Sequence, residues 1–437
     1  MKTILKITIA SSLLCGATFA QEIEEKRDRV PSVRDAIQTI SEIEQEDVTV
    51  VSGVKRMFKY GKISGELSSI YSGYYNENAT NNYATAVGTQ LKYELAEFKG
   101  LNAGVALSLS QDIGAFSGEN DKYNPELSSD DKFYAEIGEA YINYKYQNFN
   151  FRGGRQVIDT PLADSDDIRM IPNSFEAYIA NYEQDDFSFM AGALTKWQGV
   201  DSGLDVDKHW QKTGEDGTYF GGLSYVNDVL EGSVWYYDIS ADAVDNIANK
   251  TLYADIFANY KISDDFSLYG GVQYLTQSEV ENSGIESNIY GVMAEFIAYD
   301  IGFNIAYNKS TQQANKGSFS GFGGGTLFTN MDSMIIDAIT IDREVDVIVA
   351  GLSYSVGDFN FLYAYGNFDG GANSASQKEH IIEQDIAIEY TPNDDFTIAS
   401  VYTINEDKED TDSNGGDWSN FRILLSYNFQ TDFKKRR

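Results

Sequence analysis

Residues 250 to 262, KTLYADIFANYKI, place Leu252, Ala254, Ile256, Ala258, Tyr260 and Ile262 on one face of an extended chain, with Tyr253, Asp255, Asn259 and Lys261 on the other. The period is two rather than 3.6, so the segment reads as a strand with one apolar and one polar side. After the turn at 263 to 265, Phe266, Leu268, Gly270, Val272 and Tyr274 share a face opposed by Ser267, Tyr269, Gly271 and Gln273. The same alternation runs through Leu101, Ala103, Val105, Leu107 and Leu109, through Phe359, Phe361, Tyr363 and Tyr365, and through Ile423, Leu425, Tyr427 and Phe429. Segments of this kind begin near residues 61, 83, 101, 133, 149, 175, 187, 217, 230, 250, 266, 286, 301, 343, 359, 381, 396 and 418. That makes about eighteen strands.

The connectors alternate in length. Short turns fall at 147–148, 185–186, 263–265, 357–358 and 393–395, and long polar connectors at 113–131, 158–174, 197–216, 311–342, 369–380 and 407–417. An antiparallel barrel in an outer membrane has short turns on its periplasmic rim and long loops outside, and an even strand count returns both termini to the periplasm. A phrase recurs at the short turns, as YKISDDFSLYG at 260–270, YEQDDFSF at 182–189 and YTPNDDFTIA at 390–399. Tyr before the turn and Phe after it set both rings where hydrocarbon meets headgroups, a depth that suits an apolar ring with a polar tip. A soluble all-β sandwich or solenoid would also alternate, but it requires neither the aromatic pair nor the two connector lengths.

Composition sharpens this. The chain has 437 residues, a formal charge of −34, 30 Tyr and 25 Phe, and no linker or compositional shift divides it. The start, MKTILKITIASSLLCGATFA, has the basic, apolar and small-residue regions of a secretory signal peptide ending at Ala20. Its removal takes two lysines and the only cysteine, Cys15, lowering the charge from −34 to −36. A mature chain without thiols relies on its own hydrogen-bonded architecture. Such acidity excludes nucleic acid as a partner and suits solvated loops or an aqueous path for cations. No mature segment reaches the roughly 18 consecutive apolar residues of a spanning helix, whereas a barrel strand needs only about 9 to 11 with one apolar face.

The expected organisation is therefore a signal peptide at 1–20, a segment at 21–60, a transmembrane barrel at 61–429 and a basic tail at 430–437. Within 21–60, SVRDAIQTISEIEQED carries Val33, Ile37 and Ile40 on one helical face, predicting a short amphipathic helix that is either periplasmic or folded into the barrel mouth.

The stretch RGGRQVIDTPLADSDDIRMIPNSFEAY, residues 152–178, resembles a porin of the OprD type. It has a strand ending in a Gly-Arg pair, a Thr-Pro-Leu step, an acidic cluster ahead of Arg169, and Pro172 with Phe175 opening the next strand. Major outer-membrane porins of the Campylobacter type are also similar, and the strand count extends the likeness over 61–429. The resemblance implies an 18-stranded, water-filled barrel whose third external loop, here 158–174, folds inward and narrows the lumen. It implies a constriction of acidic loop groups facing basic wall groups, placed by matching positions at Asp164, Asp166, Asp167 and Arg169 on the loop and Arg152 and Arg155 on the wall. A homotrimer follows from the trimeric porins among those it resembles.

Parity supports part of this independently. Phe149 and Phe151 point outward and Arg152 inward, since a lipid-facing Arg at mid-membrane costs roughly 2 to 4 kcal/mol. Arg155 has outward parity, so either it lies above the apolar band or Gly153 and Gly154 form a bulge. Lys92, Glu94, Lys145, Asp255, Glu383 and Asp385 face the lumen by the same rule. Wall arginines are few, chiefly Arg152, Arg155, Arg343 and Arg422, which departs from a basic ladder guiding carboxylates and favours a cation-preferring pore.

Signals for chemistry are weak. The two histidines, His209 and His380, lie in or beside expected loops, and no Ser or Cys sits in a nucleophile motif. GFGGGTLF at 321–328 lacks the Lys and Ser/Thr of a phosphate loop and reads as a flexible external loop. EDKEDTD at 406–412 could gather divalent cations between lipopolysaccharides, yet without fixed ligand spacing. Neither an enzyme, a cofactor nor a metal site is expected. The expected function is passive diffusion of small hydrophilic solutes through a barrel set in outer-membrane lipid and lipopolysaccharide. The alternative is a structural or adhesive surface protein whose loops plug the barrel.

Overall fold

A computed structural model describes residues 50–128, 133–166, 169–202, 210–242, 246–263, 265–409 and 416–432. A helix, α1 (Val50–Lys59), precedes β1 (Lys62–Asn76), β2 (Asn82–Glu94), β3 (Leu101–Asp112), β4 (Phe133–Tyr146), β5 (Phe149–Gln156), β6 (Ser174–Gln184) and β7 (Phe187–Gln198). The two-residue β8 (Gln211–Lys212) pairs only with the outer end of β7. Then follow β9 (Thr218–Val226), β10 (Leu230–Ile239), β11 (Asn249–Lys261), β12 (Phe266–Glu279), β13 (Ser287–Ala298) and β14 (Ile301–Ser310). The last are β15 (Val345–Val356), β16 (Phe359–Gly370), β17 (Glu379–Asn393), β18 (Phe396–Asp407) and β19 (Trp418–Asp432). Setting β8 aside, each strand starts within two residues of an expected start. All neighbours are antiparallel, and β1 pairs with both β2 and β19, from Lys62↔Asp432 to Asn76↔Trp418. The sheet closes into an eighteen-stave barrel.

Closure removes the edge whose unpaired backbone groups no lipid could satisfy. Leu252, Ile256, Tyr260, Leu268 and Val272 are exposed on the outer face. At the short-turn rim the recurring rings touch across neighbouring strands, with Phe149 4.6 Å from Tyr182, Phe187 4.9 Å from Tyr225 and Phe359 4.6 Å from Tyr390. A Phe opening one strand thus meets the Tyr that closes its neighbour, and the repeated phrase becomes a girdle.

Two expectations change, and a third falls outside what is described. The amphipathic stretch 32–47 lies outside the described residues, and the helix seen is the later α1. The last strand runs to Asp432, three residues into the expected tail, because Lys62, Ile63 and Ser64 of β1 supply partners for Asp432, Thr431 and Gln430. GFGGGTLF is not a flexible external loop: Phe322, Leu327 and Phe328 are buried inside the barrel, where apolar rings find wall rings to cover them.

Candidate functional site

Two loops fill one side of the lumen. The loop 157–173 and the loop 311–344 meet backbone to backbone, Asp164 N donating to Phe322 O at 3.0 Å and Phe322 N to Leu162 O at 2.9 Å. Gly321, Gly323 and Gly324 make this approach possible, all at positive φ. A Cβ on Gly323 would lie 2.4 Å from the Asp164 carbonyl oxygen, so only glycine fits. The rings then lock in. Phe322 packs 5.4 Å from Trp197 and Phe328 5.3 Å from Phe257, while Phe220, Trp235 and Tyr237 stack along β9 and β10.

Backbone at this depth must find partners in the protein, and wall side chains provide them. Gln277 on β12 exchanges two hydrogen bonds with the backbone of Phe319, both at 2.9 Å. Asn308 on β14 accepts Thr329 N at 3.1 Å, and the Tyr237 hydroxyl accepts Leu162 N at 3.3 Å. On β17, Glu383 accepts Ser333 N at 2.9 Å and Asp385 accepts Asp332 N at 3.4 Å. The expectation of a wet inner face all round is therefore corrected. Glu383 and Asp385 face inward as parity required, yet both are fully buried and hold a loop instead of lining water. Asp255, also inward, is engaged by Ser233 through its backbone N–H at 2.6 Å and its hydroxyl at 2.9 Å.

A charge cluster joins the two loops to the opposite wall. Arg169 lies 3.6 Å from Glu126 of the loop 113–132 and 3.6 Å from Asp166. The Glu126 carboxylate also accepts the Tyr74 hydroxyl at 2.9 Å. Beside it, buried Arg422 of β19 pairs with Asp332, which accepts the Thr403 hydroxyl at 2.9 Å. Burial pushes the Asp166 carboxyl up to about 7, Arg169 opposing and Asp201 and Asp164 reinforcing the shift. The Arg169 guanidinium is raised because Glu126, Asp166 and Asp201 outweigh its burial. Asp164 and Asp166 are linked by the Asp166 N–H to Asp164 Oδ1 bond at 2.8 Å. Asp167 lies outside the described residues.

Arg155 does not join this cluster. It sits opposite Ala140 and Glu176 in the sheet without a register shift, so no bulge re-aims it. It lies 3.5 Å from Glu176 and stacks 4.4 Å from the Trp210 ring, near the long-loop end of β5. Its outward parity is satisfied above the apolar band, and the constriction role is corrected.

Arg152 belongs to a second group, nearer the short-turn rim. Its guanidinium stacks 4.2 Å from the Tyr141 ring and donates to Asn143 at 3.2 Å. The Tyr141 hydroxyl donates to Glu94 at 2.6 Å, and Lys92 pairs with Glu139 at 3.0 Å. Lys92, Glu94 and Arg152 are half-buried on the inner face, as is Lys145 two positions from the turn. Glu139 shares the parity of Lys145 and was legible by the same rule, whereas Glu136, of opposite parity, reaches the inner face through the register shift between Ala106 and Ser108. Glu126 and Asp332 gave no local signal.

Among the described residues no group of three or more His, Cys, Asp or Glu is arranged to hold a metal ion, and no helix is long and apolar enough to cross a membrane. The family model for outer membrane porins of the OprD family matches residues 99–430. No curated protein sequence matches the chain. Solved structures share the fold at low identity. Acinetobacter baumannii OccAB1 is 16% identical with a TM-score of 0.70, covering 85% of this chain and 96% of its own. Acinetobacter baumannii OccAB3 is 13% identical with a TM-score of 0.72, covering 85% and 99%. Pseudomonas aeruginosa OpdK with vanillate is 14% identical with a TM-score of 0.69, covering 85% and 99%.

Proposed function

This chain belongs to the OprD family of outer membrane porins, and from that premise we propose that its passive pore prefers cations and is sized by its inward loops. The family's members are passive channels rather than enzymes and reside in the Gram-negative outer membrane. The short turns accordingly face the periplasm.

The path runs beside β1 to β7, where inward residues such as Lys62, Glu66, Gln90, Lys92, Asn102, Asn150 and Arg152 stay partly accessible, while the β9 to β17 side is sealed by packed rings. Ions entering from outside pass Asp164, Asp166 and Arg169 on the loop 157–173, then the Lys92, Glu94, Glu139 and Arg152 group. One observation carries the cation preference: Arg169, Lys92 and Arg152 on this path are each engaged by an acidic or aromatic neighbour. Arg169 has two carboxylate neighbours, Lys92 has Glu139, and Arg152 is stacked on a tyrosine that Glu94 holds. The uncompensated remainder on a chain of charge −34 is acidic. The OpdK structure holds vanillate, a carboxylate; here the thin basic wall favours small cations and uncharged or zwitterionic hydrophilic solutes. Glu383 and Asp385 serve the loop scaffold, Asp255 ties β11 to Ser233 of β10, and Lys145 marks the periplasmic mouth. Helix α1 sits at the periplasmic rim, where Tyr93 and Ala96 hold its last carbonyls. Long acidic loops meet lipopolysaccharide, and the barrel forms homotrimers.

Reversal potential in a KCl gradient across a planar bilayer tests the preference. A potential of cation sign at neutral pH supports it; one of anion sign, or no channel steps, overturns it.

A further inference from the structure

Helix α1 is attached to the outside of the periplasmic rim. The Tyr93 hydroxyl, on the lipid-facing side of β2, donates to the Phe58 carbonyl at 2.7 Å. The Ala96 amide, in the turn 95–100, donates to the Met57 carbonyl at 3.1 Å. These donors satisfy carbonyls that a helix C-terminus leaves open. Gly53 and Met57 are buried against the barrel, and a Cβ on Gly53 would lie 2.3 Å from the Phe98 ring.

At 100° per residue, Val50, Val51, Val54 and Phe58 fall together on a face adjoining the docked one. They are 69, 67, 42 and 58% exposed. A ten-residue helix with that much bare hydrocarbon is unfavourable in water. Of the helix's three basic residues, Arg56 and Lys59 lie on the side away from the apolar face and Lys55 borders it beside Val51. An apolar face, a basic face and a position level with the girdle are what an interfacial helix requires. Its fixed neighbour Tyr93 already belongs to the lipid-facing surface, so the apolar patch continues that surface around the rim.

We propose that α1 lies in the headgroup layer of the periplasmic leaflet, inserting Val50, Val51, Val54 and Phe58 between phospholipid chains while its basic residues meet anionic headgroups. A helix so placed would anchor the segment before β1 beside the pore mouth and leave the mouth clear. The lipid source is glycerophospholipid of the inner leaflet, since α1 sits at the rim opposite the long loops.

The test uses the full mature chain, which has no cysteine once residues 1–20 are gone, reconstituted in phosphatidylethanolamine/phosphatidylglycerol vesicles. An environment-sensitive fluorophore is placed at Val54→Cys, at Val51→Cys as a second reporter, and at Ser52→Cys on the polar side. The expected result is loss of Val54 and Val51 fluorescence when nitroxide-labelled lipid is included, with little quenching by aqueous iodide, and the reverse at Ser52. Ready iodide quenching at Val54 and Val51 overturns the proposal. So does protection from both quenchers, which would mean that preceding residues or a second copy cover the patch. Channel steps from the labelled proteins verify barrel insertion separately.

Discussion

Glu383 Oε1 accepts the backbone N–H of Ser333 at 2.9 Å, so a carboxylate on the barrel wall holds the innermost turn of a loop that the sequence reads as external. Next to it the Arg422–Asp332 pair is almost wholly buried. Removing one member of such a pair leaves an uncompensated charge, a loss on the order of 3 to 5 kcal/mol. Asp332→Ala should therefore release the loop 311–344, giving noisier and larger single-channel currents and a lower unfolding temperature. The double variant Asp332→Ala with Arg422→Met should recover part of the stability. Single-channel currents and melts unchanged by Asp332→Ala would show that the pair does not hold the loop.

The contact between the two inward loops depends on backbone freedom at one residue. Gly323 has φ +85° and no space for a Cβ, so Gly323→Ala should destabilise the loop pair by roughly 1 to 3 kcal/mol. The barrel, with its own hydrogen-bond ladder, should remain closed. Limited proteolysis would detect this as new cleavage within 311–344 in a protein that still resists detergent denaturation. Wild-type cleavage kinetics would count against the contact.

How much of this was legible depends on what set each residue's choice. Strand starts were readable because lipid on one side and polar groups on the other impose period two on every stave, and the rim rings were readable because each Tyr and Phe answers to a fixed membrane depth. The filling of the lumen was not. Phe257 falls on the face called polar in KTLYADIFANYKI, and its partner Phe328 is 71 positions away, so no local rule joins them. The apolar letters inside GFGGGTLF were the available clue, and its glycines, read as flexibility, in fact mark close backbone approach. Likewise the inward parity of Glu383 and Asp385 was correct, but parity cannot say whether water or a loop backbone will meet a carboxylate.

Asp166 gives the pore a titration near neutrality. Its folded-state value of about 7 exceeds that of an unfolded Asp. A carboxyl raised in this way adds stability below about pH 4 that is lost as pH climbs through about 7. Arg169 and Arg422 face it with opposing charge, Asp164 and Asp201 with like charge. Cation preference should grow between about pH 6 and pH 8 as Asp166 ionises, and Asp166→Asn should flatten that rise. A reversal potential that climbs identically in the variant would assign the titration to another group.

The Arg152 group makes the most direct claim on ion selectivity, because the two signs of charge can be removed separately. Arg152 sits 4.2 Å from the Tyr141 ring, whose hydroxyl is bound to Glu94, and Lys92 is bound to Glu139. Arg152→Ala deletes a cation and leaves both carboxylates, so cation preference should increase. Glu139→Gln keeps the size of the side chain but frees Lys92, so the preference should fall. Both shifts should shrink as salt is raised, since half-exposed charges are screened beyond about 10 Å at 0.1 M. Opposite displacements of the reversal potential at low salt are the expected outcome. If neither variant moves it, ions do not pass within reach of this group, and selectivity must be set higher, at Asp164, Asp166 and Arg169.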